Sequence, residues 1–208
     1  MKKSIASLAL AALFSSMQGQ QAELLKDINP GTESSYIIYM TQLQGKVVFK
    51  ATNHRNTNNE LWVTDGTPEG TFMLKEINPS TVTGSSIGPM AVYKNEAYFS
   101  ADDGTHGSEL WKTNGTSEGT VMVRDIAPGN TGSKPGYLTV WNNTLYFSAY
   151  HPDSGNELWK SEGTAETTVM VKDLTEGSAS TQPGYITTGK CGLYFTGLSN
   201  LKLYFSDG

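Results

Sequence analysis

The sequence repeats one unit of 48 or 49 residues four times, and this period constrains the fold more than any other feature. A Lys-Asp-Ile type segment begins at Lys26 and returns at Lys75, Arg124 and Lys172, at spacings of 49, 49 and 48 residues. The other markers keep the same order: Glu-Leu-Trp at 60–62, 109–111 and 157–159, an apolar or aromatic pair at 48–49, 98–99, 146–147 and 194–195, and Gly-Tyr at 136–137 and 184–185. Several markers that share one period and one order indicate a repeat protein.

Within each unit the residue pattern favours strands over helices. The second unit holds four short runs that alternate or are rich in β-branched and aromatic residues, at 89–93, 96–101, 109–113 and 120–126. No run of ten or more residues carries an apolar stripe with the helical period. Asp65-Gly66 and Asn114-Gly115 are hairpin signals, because glycine adopts positive φ without a Cβ clash. Four short strands per unit predict one β-propeller blade.

The connections between these strands predict where each blade begins and ends. A tight turn joins the Glu-Leu-Trp strand to the Lys-Asp-Ile strand, so the two should pair in one blade, and the longer loop at 78–88 should cross to the next blade. The predicted blades are 36–77, 88–126, 135–174, and 184–208 completed by 22–28. We therefore expect an all-β, four-bladed propeller of antiparallel strands, closed by pairing 22–28 with the last blade, since closure removes exposed edges. Two alternatives stay open, a fragment of a longer array and an eight-bladed ring of two chains.

The first residues have the pattern of a secretory signal peptide. Lys2 and Lys3 precede an apolar stretch at 4–14, which is too short to anchor a helix across a bilayer, and small or polar residues follow at 15–19. Cleavage after Gly19 or after Ala22 is expected. We predict a signal peptide at 1–19, a propeller domain at 20–208, and a secreted, periplasmic or cell-surface location.

Composition excludes several classes of partner. The chain has 15 Lys and Arg against 20 Asp and Glu, a net charge of −5, which becomes −5 − 2 = −7 without the signal peptide. This balance argues against nucleic-acid binding, and no later segment is apolar enough to span a membrane. The single cysteine, Cys191, cannot form an internal disulfide, and we expect it to be buried. A monomer is expected, with an oligomer left open.

The repeated motif resembles a known family. Residues 60–67 read Glu-Leu-Trp-Val-Thr-Asp-Gly-Thr and are followed by Glu-Gly-Thr at 69–71. This resembles the bacterial ELWxxDGT repeat family over about 20–208, which implies a secreted or surface β-propeller-like repeat protein without a settled activity. The last copy departs from the motif, because Lys202 stands where Glu is expected and Tyr204 replaces Trp.

Residues that recur once per unit are candidate structural residues. One position is aromatic in every unit, and we predict that it packs between blades, with sugar stacking as the alternative: Trp62, Trp111, Trp159 and Tyr204. A second position carries a carboxylate that we predict to fix a loop through hydrogen bonds: Glu60, Glu109 and Glu157.

The loop at 102–109 supports one metal hypothesis. It is acidic and contains glycine, and oxygen ligands on a flexible loop suit Ca²⁺, so Asp102, Asp103 and Glu109 are candidate calcium ligands. No other cofactor is expected. His106 and Trp141 are candidate ligand contacts. His54, His106 and His151 precede the Glu-Leu-Trp segments at unequal spacings, which argues against a shared metal site.

No motif for catalysis occurs in the sequence. It has no Gly-x-Ser-x-Gly elbow, no His-Glu-x-x-His and no phosphate-binding loop. A repeated scaffold with variable loops indicates non-catalytic binding or adhesion, with a surface glycan or an exported protein as the ligand. Two alternatives stay open, a polysaccharide hydrolase that uses carboxylates in the propeller channel, and a structural envelope repeat.

Overall fold

The computed structural model describes residues 22–53, 59–80 and 84–208, and the predicted signal peptide at 1–19 lies outside these ranges. The described residues form fifteen strands and no helix. Within those ranges there is accordingly no helical segment of the length and apolarity that crossing a membrane requires. The all-β prediction is confirmed.

The strands form four antiparallel sheets in which strand order follows chain order. The first sheet contains β1 (Ile38–Leu43), β2 (Lys46–Thr52), β3 (Asn59–Thr64) and β4 (Phe72–Lys75). The second contains β5 (Ala91–Tyr93), β6 (Glu96–Asp102), β7 (Ser108–Thr113) and β8 (Val121–Arg124). The third contains β9 (Gly136–Trp141), β10 (Thr144–His151), β11 (Gly155–Ser161) and β12 (Val169–Lys172). The fourth contains β13 (Pro183–Thr188), β14 (Leu193–Gly197) and β15 (Lys202–Ser206).

Each sheet packs its apolar face on the next sheet in the chain. Two of the recurring tryptophans lie in these interfaces: Trp111 of the second sheet clusters with Leu61 of the first, and Trp159 of the third clusters with Leu110 of the second. Trp62 of the first sheet packs with Ile28 of the N-terminal segment. Tyr204, in the tryptophan place of the fourth sheet, packs in the cluster that the third and fourth sheets share. The aromatic position is therefore a core position between sheets, and the tryptophans are too buried to offer a stacking surface.

The last strand of each four-stranded sheet is called its outer strand, and the second residue after it strengthens the same interfaces. Ile77 leaves the first sheet and packs with Phe99 of the second. Ile126 leaves the second sheet and packs with Phe147 of the third. Complete burial of one such side chain stabilises the fold by roughly 1.5–3 kcal/mol. Each pair of successive sheets therefore shares its own apolar cluster.

The predicted pairing of 22–28 with the last blade is not formed in the structure. Residues 22–27 carry no strand assignment, and the fourth sheet has three strands. Lys26 Nζ instead donates to Pro68 O at 2.8 Å, and Ile28 clusters with Phe49 and Trp62 of the first sheet. The segment contacts the first sheet as the Ile77 segment contacts the second, but in the described residues no apolar cluster or backbone hydrogen bond brings the fourth sheet to it.

The prediction of a buried cysteine is wrong. Cys191 is exposed, in the turn between β13 and β14 that Gly189 N closes by donating to Gly192 O at 2.8 Å. A turn at the end of a hairpin has no neighbouring sheet to cover it, so the position is solvated.

Candidate functional site

The recurring glutamates are buried and hold the loop that crosses to the next sheet. Glu109, on β7, accepts hydrogen bonds from Ile126 N and Ala127 N, each at 3.0 Å. It also accepts hydrogen bonds from the backbone and the hydroxyl of Ser133, which precedes β9. One carboxylate therefore joins the end of one sheet to the start of the next. The sequence-based expectation for Glu109 was that it fixes a loop through hydrogen bonds, with calcium binding as the alternative.

The other two glutamates repeat this arrangement with fewer donors. Glu60 accepts from Ile77 N at 2.8 Å and from Ser85 Oγ at 2.6 Å. Glu157 accepts from Thr181 N at 2.8 Å. Burial raises the pKa of each of the three carboxyl groups, while these hydrogen bonds act in the opposite direction.

The acidic loop of the second sheet is organised by its own hydrogen bonds. Asp102 Oδ1 accepts from Gly104 N at 2.7 Å, and His106 Nδ1 lies 2.8 Å from Asp103 Oδ2. That contact with Asp103 raises the pKa of His106. Burial raises the pKa of Asp103, but the hydrogen bonds from the His106 backbone and ring outweigh it and leave the pKa below its ordinary value.

The predicted calcium ligands do not converge in the described residues. Glu109 faces the crossover loop, while Asp103 faces His106. In 22–53, 59–80 and 84–208, no group of three or more His, Cys, Asp or Glu side chains is placed to hold a metal ion. Calcium binding stays a prediction, without a ligand cluster in this part of the chain.

The two predicted ligand contacts lie on different sheets. His106 belongs to the loop between β6 and β7 of the second sheet, whereas Trp141 ends β9 of the third. Trp141 is half-buried, with its ring 6.2 Å from that of Tyr146. His54 lies outside the described residues, and His151 packs near Trp159 with ring centroids 6.2 Å apart.

An exposed pair of tyrosines joins the third and fourth sheets. Tyr137, on β9, is 45% exposed, and Tyr185, on β13, is 69% exposed. Their ring centroids lie 5.7 Å apart at an interplanar angle of 51°, within the range that tilted aromatic pairs prefer. We call these two residues the tyrosine pair. Among the aromatic ring pairs of the described residues, the tyrosine pair is the one whose two rings are both strongly exposed and lie on different sheets.

The backbone beneath the tyrosine pair is specialised. Tyr137 and Tyr185 have φ of 56° and 52°, and Tyr39 of the first sheet has φ of 56° at the same repeat position. Strand pairing is irregular at each of these positions, as in a β-bulge. A left-handed backbone costs a bulky residue about 1–3 kcal/mol and persists where its surroundings enforce it. Bulges also redirect side chains, so the strand register presents these rings to solvent.

A cross-sheet hydrogen bond fixes the spacing of the two strands that carry the pair. Thr139 Oγ donates to Ile186 O at 3.0 Å, and both residues lie close to the tyrosines in sequence. Exposed polar residues precede the rings by three positions, Lys134 on one side and Gln182 on the other. Each exposed ring is therefore preceded in sequence by an exposed side chain that can donate a hydrogen bond.

Sequence reasoning did not single out this pair as a site. Tyr137 and Tyr185 were visible only as part of a repeat marker, each preceded by glycine. The available signal was an aromatic residue that recurs on the first strand of a sheet, where alternation alone does not show which face it takes. A bulge reverses that alternation locally, and its position depends on cross-strand pairing.

Comparison with known proteins gives the chain no family. No family model matches it, and no curated protein matches it. Among solved structures, an alpha-L-arabinofuranosidase from Clostridium thermocellum is similar over 81% of this chain and 67% of that chain, with 12% identity and a TM-score of 0.39. A puromycin hydrolase mutant complexed with PGG is similar over 75% of this chain and 24% of that chain, with 14% identity and a TM-score of 0.42. Both of these structures are named as enzymes, and neither similarity assigns a substrate to this chain.

Proposed function

We propose that this chain is a secreted, non-catalytic binding protein of the ELWxxDGT repeat type, built as β-propeller blades, and that its ligand is a surface glycan. The tyrosine pair carries this proposal. Tyr137 and Tyr185 are exposed, in contact and held by two sheets. Aromatic faces bind the apolar faces of sugar rings, and tyrosine offers large contact area with few rotatable bonds.

The geometry of the pair favours an extended ligand. The two rings are inclined at 51°, so one flat sugar ring cannot lie on both, and successive sugars of a chain can contact one ring each. Lys134 and Gln182 stand three residues before the two tyrosines and carry side-chain donors suited to sugar hydroxyl groups. Because both rings are already ordered in the fold, binding loses little side-chain entropy.

The roles of the buried glutamates support binding over hydrolysis. A glycosidase needs two carboxyl groups that flank the scissile bond and exchange protons with it. Glu60, Glu109 and Glu157 are buried and their oxygens accept hydrogen bonds from the crossover loops. A carboxylate engaged in this way is not free to act on a substrate, so these three residues do not form the pair that the hydrolase alternative needs.

A binding screen with matched variants tests the proposal. The mature protein is screened on a glycan array, and affinity for a glycan that binds is measured by titration calorimetry beside an assay for released sugars. We expect Tyr137→Ala and Tyr185→Ala each to weaken binding about tenfold, near 1.4 kcal/mol for the lost stacking area. Tyr137→Phe should keep most of the affinity, because the ring remains.

Phe72→Ala is the control, because Phe72 is an exposed aromatic residue on the outer strand β4. It should bind like the parent. A blank array, or tyrosine variants with the parent's affinity, would overturn the proposal. Release of sugars from a bound polysaccharide would favour the hydrolase, and binding to exported protein alone would favour a protein ligand.

A further inference from the structure

One position on the second strand of each sheet differs between the first sheet and the other three. It is the residue that pairs with the leucine of the Glu-Leu-Trp type segment: Lys50, Ser100, Ser148 and Thr196. Ser148 Oγ donates to Asn156 Oδ1 at 2.5 Å, and Thr196 Oγ1 donates to Gly184 O at 3.2 Å. A short hydroxyl side chain is therefore the pattern of the repeat, and Lys50 departs from it.

The facing residue on the first strand of the sheet changes as well. In the other three sheets a glycine lies opposite the hydroxyl residue: Gly88, Gly136 and Gly184. A Cβ at Gly88 would lie 2.5 Å from Ser100 Oγ, so the glycine leaves room for the hydroxyl. In the first sheet the facing residue is Ile38. The first sheet thus replaces a glycine and a hydroxyl residue together, by Ile38 and Lys50.

Lys50 lies on the face that the first sheet turns to the second. It shares this face of β2 with Val48, because side chains two residues apart in a strand point the same way, and it lies opposite Leu61. Val48 and Leu61 belong to the apolar cluster that joins the first two sheets. Both of these sheets have four strands, so two complete units form the surroundings of Lys50.

The ammonium group of Lys50 has an aromatic ring as its neighbour and no carboxylate. Lys50 is half-buried, and its Nζ lies 5.8 Å from the centroid of the Tyr39 ring, within the range of a cation–π contact. All 20 Asp and Glu residues lie in the described ranges, and none of them forms an ion pair with Lys50. Burial accordingly lowers the pKa of Lys50, because removal of water without an opposing charge disfavours the ammonium. A partly desolvated cation without a counterion favours an anionic ligand.

Tyr39 adds an accessible aromatic surface to this cation. It is 39% exposed and has the positive φ that Tyr137 and Tyr185 have at the same repeat position. The backbone that presents the tyrosine pair in the third and fourth sheets therefore presents Tyr39 in the first. Only here among these three sheets does the ring stand beside a lysine of the neighbouring strand.

We propose that Lys50 and Tyr39 bind an acidic sugar residue, with the ammonium on the sugar carboxylate and the tyrosine ring against the sugar. This inference rests on the proposed glycan function and narrows the ligand to chains that contain uronic acids. An ammonium binds a carboxylate through charge-assisted hydrogen bonds, and partial burial strengthens that pairing because less water screens it. A neutral sugar offers Lys50 only hydroxyl groups, so the acidic form should bind more tightly.

Calorimetric titration of the mature protein with trigalacturonate and with its methyl ester tests the preference. The two ligands share their sugar rings and differ in charge, and a salt concentration of about 0.15 M screens non-specific attraction. The parent should bind the acid about tenfold more tightly than the ester, and Lys50→Ser, which introduces the residue of the other sheets, should bind both alike. Lys50→Arg should keep the preference, because a guanidinium also pairs with a carboxylate. Lys46→Ser removes an exposed lysine of the same strand and is the control.

Nuclear magnetic resonance tests whether the anion lies at Lys50, independently of the tyrosine pair. The Lys50 Cε signal, identified by its loss in Lys50→Ser, should shift when galacturonate is added and stay in place when galactose is added. Acetate is the third probe, because it carries the carboxylate without the sugar. A shift with acetate at the same concentrations as with galacturonate would show a site for any carboxylate and would overturn the assignment to an acidic sugar.

The outcomes separate this inference from the proposed function. If Lys50→Ser binds trigalacturonate like the parent while Tyr137→Ala binds it less tightly, the acidic-sugar site is refuted and the glycan function stands. If Lys50→Ser loses the preference while Tyr137→Ala and Tyr185→Ala bind like the parent, the tyrosine pair is refuted and the site at Lys50 stands. A parent without a preference for the acid, or an equal loss in Lys46→Ser, would overturn the acidic-sugar site.

Discussion

Replacement of Glu109 by alanine tests how successive sheets are held together. The change removes the acceptor of three buried backbone N–H groups, those of Ile126, Ala127 and Ser133, and of the Ser133 hydroxyl. Two of these groups follow the second sheet and two precede the third. The variant should therefore weaken the joint between sheets without a change in any surface residue.

The magnitude follows from the donors left without a partner. Each buried N–H that loses its acceptor costs about 1–3 kcal/mol. Three amides at about 1 kcal/mol each give a loss of about 3 kcal/mol in the free energy of unfolding for Glu109→Ala. The lower value per amide is used because water that enters the vacated space can bind some of these N–H groups. Glu60 has two backbone donors, one of them at 3.4 Å, so Glu60→Ala should cost about 2 kcal/mol. Glu157 has a single short backbone bond, and Glu157→Ala should cost about 1 kcal/mol.

Urea unfolding followed by tryptophan fluorescence measures these free energies, with Glu118→Ala as the exposed control expected to lie within about 0.5 kcal/mol of the parent. Glu109→Gln should fall between parent and alanine, because its amide oxygen still accepts hydrogen bonds while its nitrogen cannot. The reasoning fails if Glu157→Ala costs as much as Glu109→Ala, or if the glutamine and alanine variants are equally unstable.

Three further predictions follow from contacts and burial. His106 should titrate above its ordinary pKa in an NMR experiment, and Asp103→Asn should return it to the ordinary range, because the raised pKa comes from the hydrogen bond to Asp103; an unchanged titration would exclude that contact. Ile126→Ala should lower the free energy of unfolding by about 2–4 kcal/mol, and by more than Ile28→Ala, because Ile126 clusters with residues of two sheets and Ile28 with residues of one; equal losses in urea melts would contradict this. Burial raises the pKa of Glu109 in the folded protein above 4.5. The stability gained from protonation of this carboxyl group is therefore fully present below the pKa of the unfolded chain, and it is lost as pH rises through the pKa of the folded protein. Urea melts from acid to neutral pH should show this decline in the parent and not in Glu109→Gln.

The sequence period was sufficient to predict the strands and the core. Each strand is short and is bounded by turn residues, and the tryptophan position recurs because each unit packs one large apolar residue on the sheet or segment before it. Trp62, Trp111 and Trp159 are all buried. These features are local or are repeated in every unit, so one chain contains several independent copies of the same signal.

Features that depend on distant partners were not predictable in the same way. The segment 22–28 has the sequence of an outer strand, but sequence equivalence does not say which sheet it contacts. Glu109 was a candidate calcium ligand because the loop at 102–109 is acidic and contains glycine. The donors that bind its carboxylate lie up to 24 residues away, Ser133 among them, and are not visible in that loop. The exposure of Tyr137 and Tyr185 depends on bulges set by cross-strand pairing.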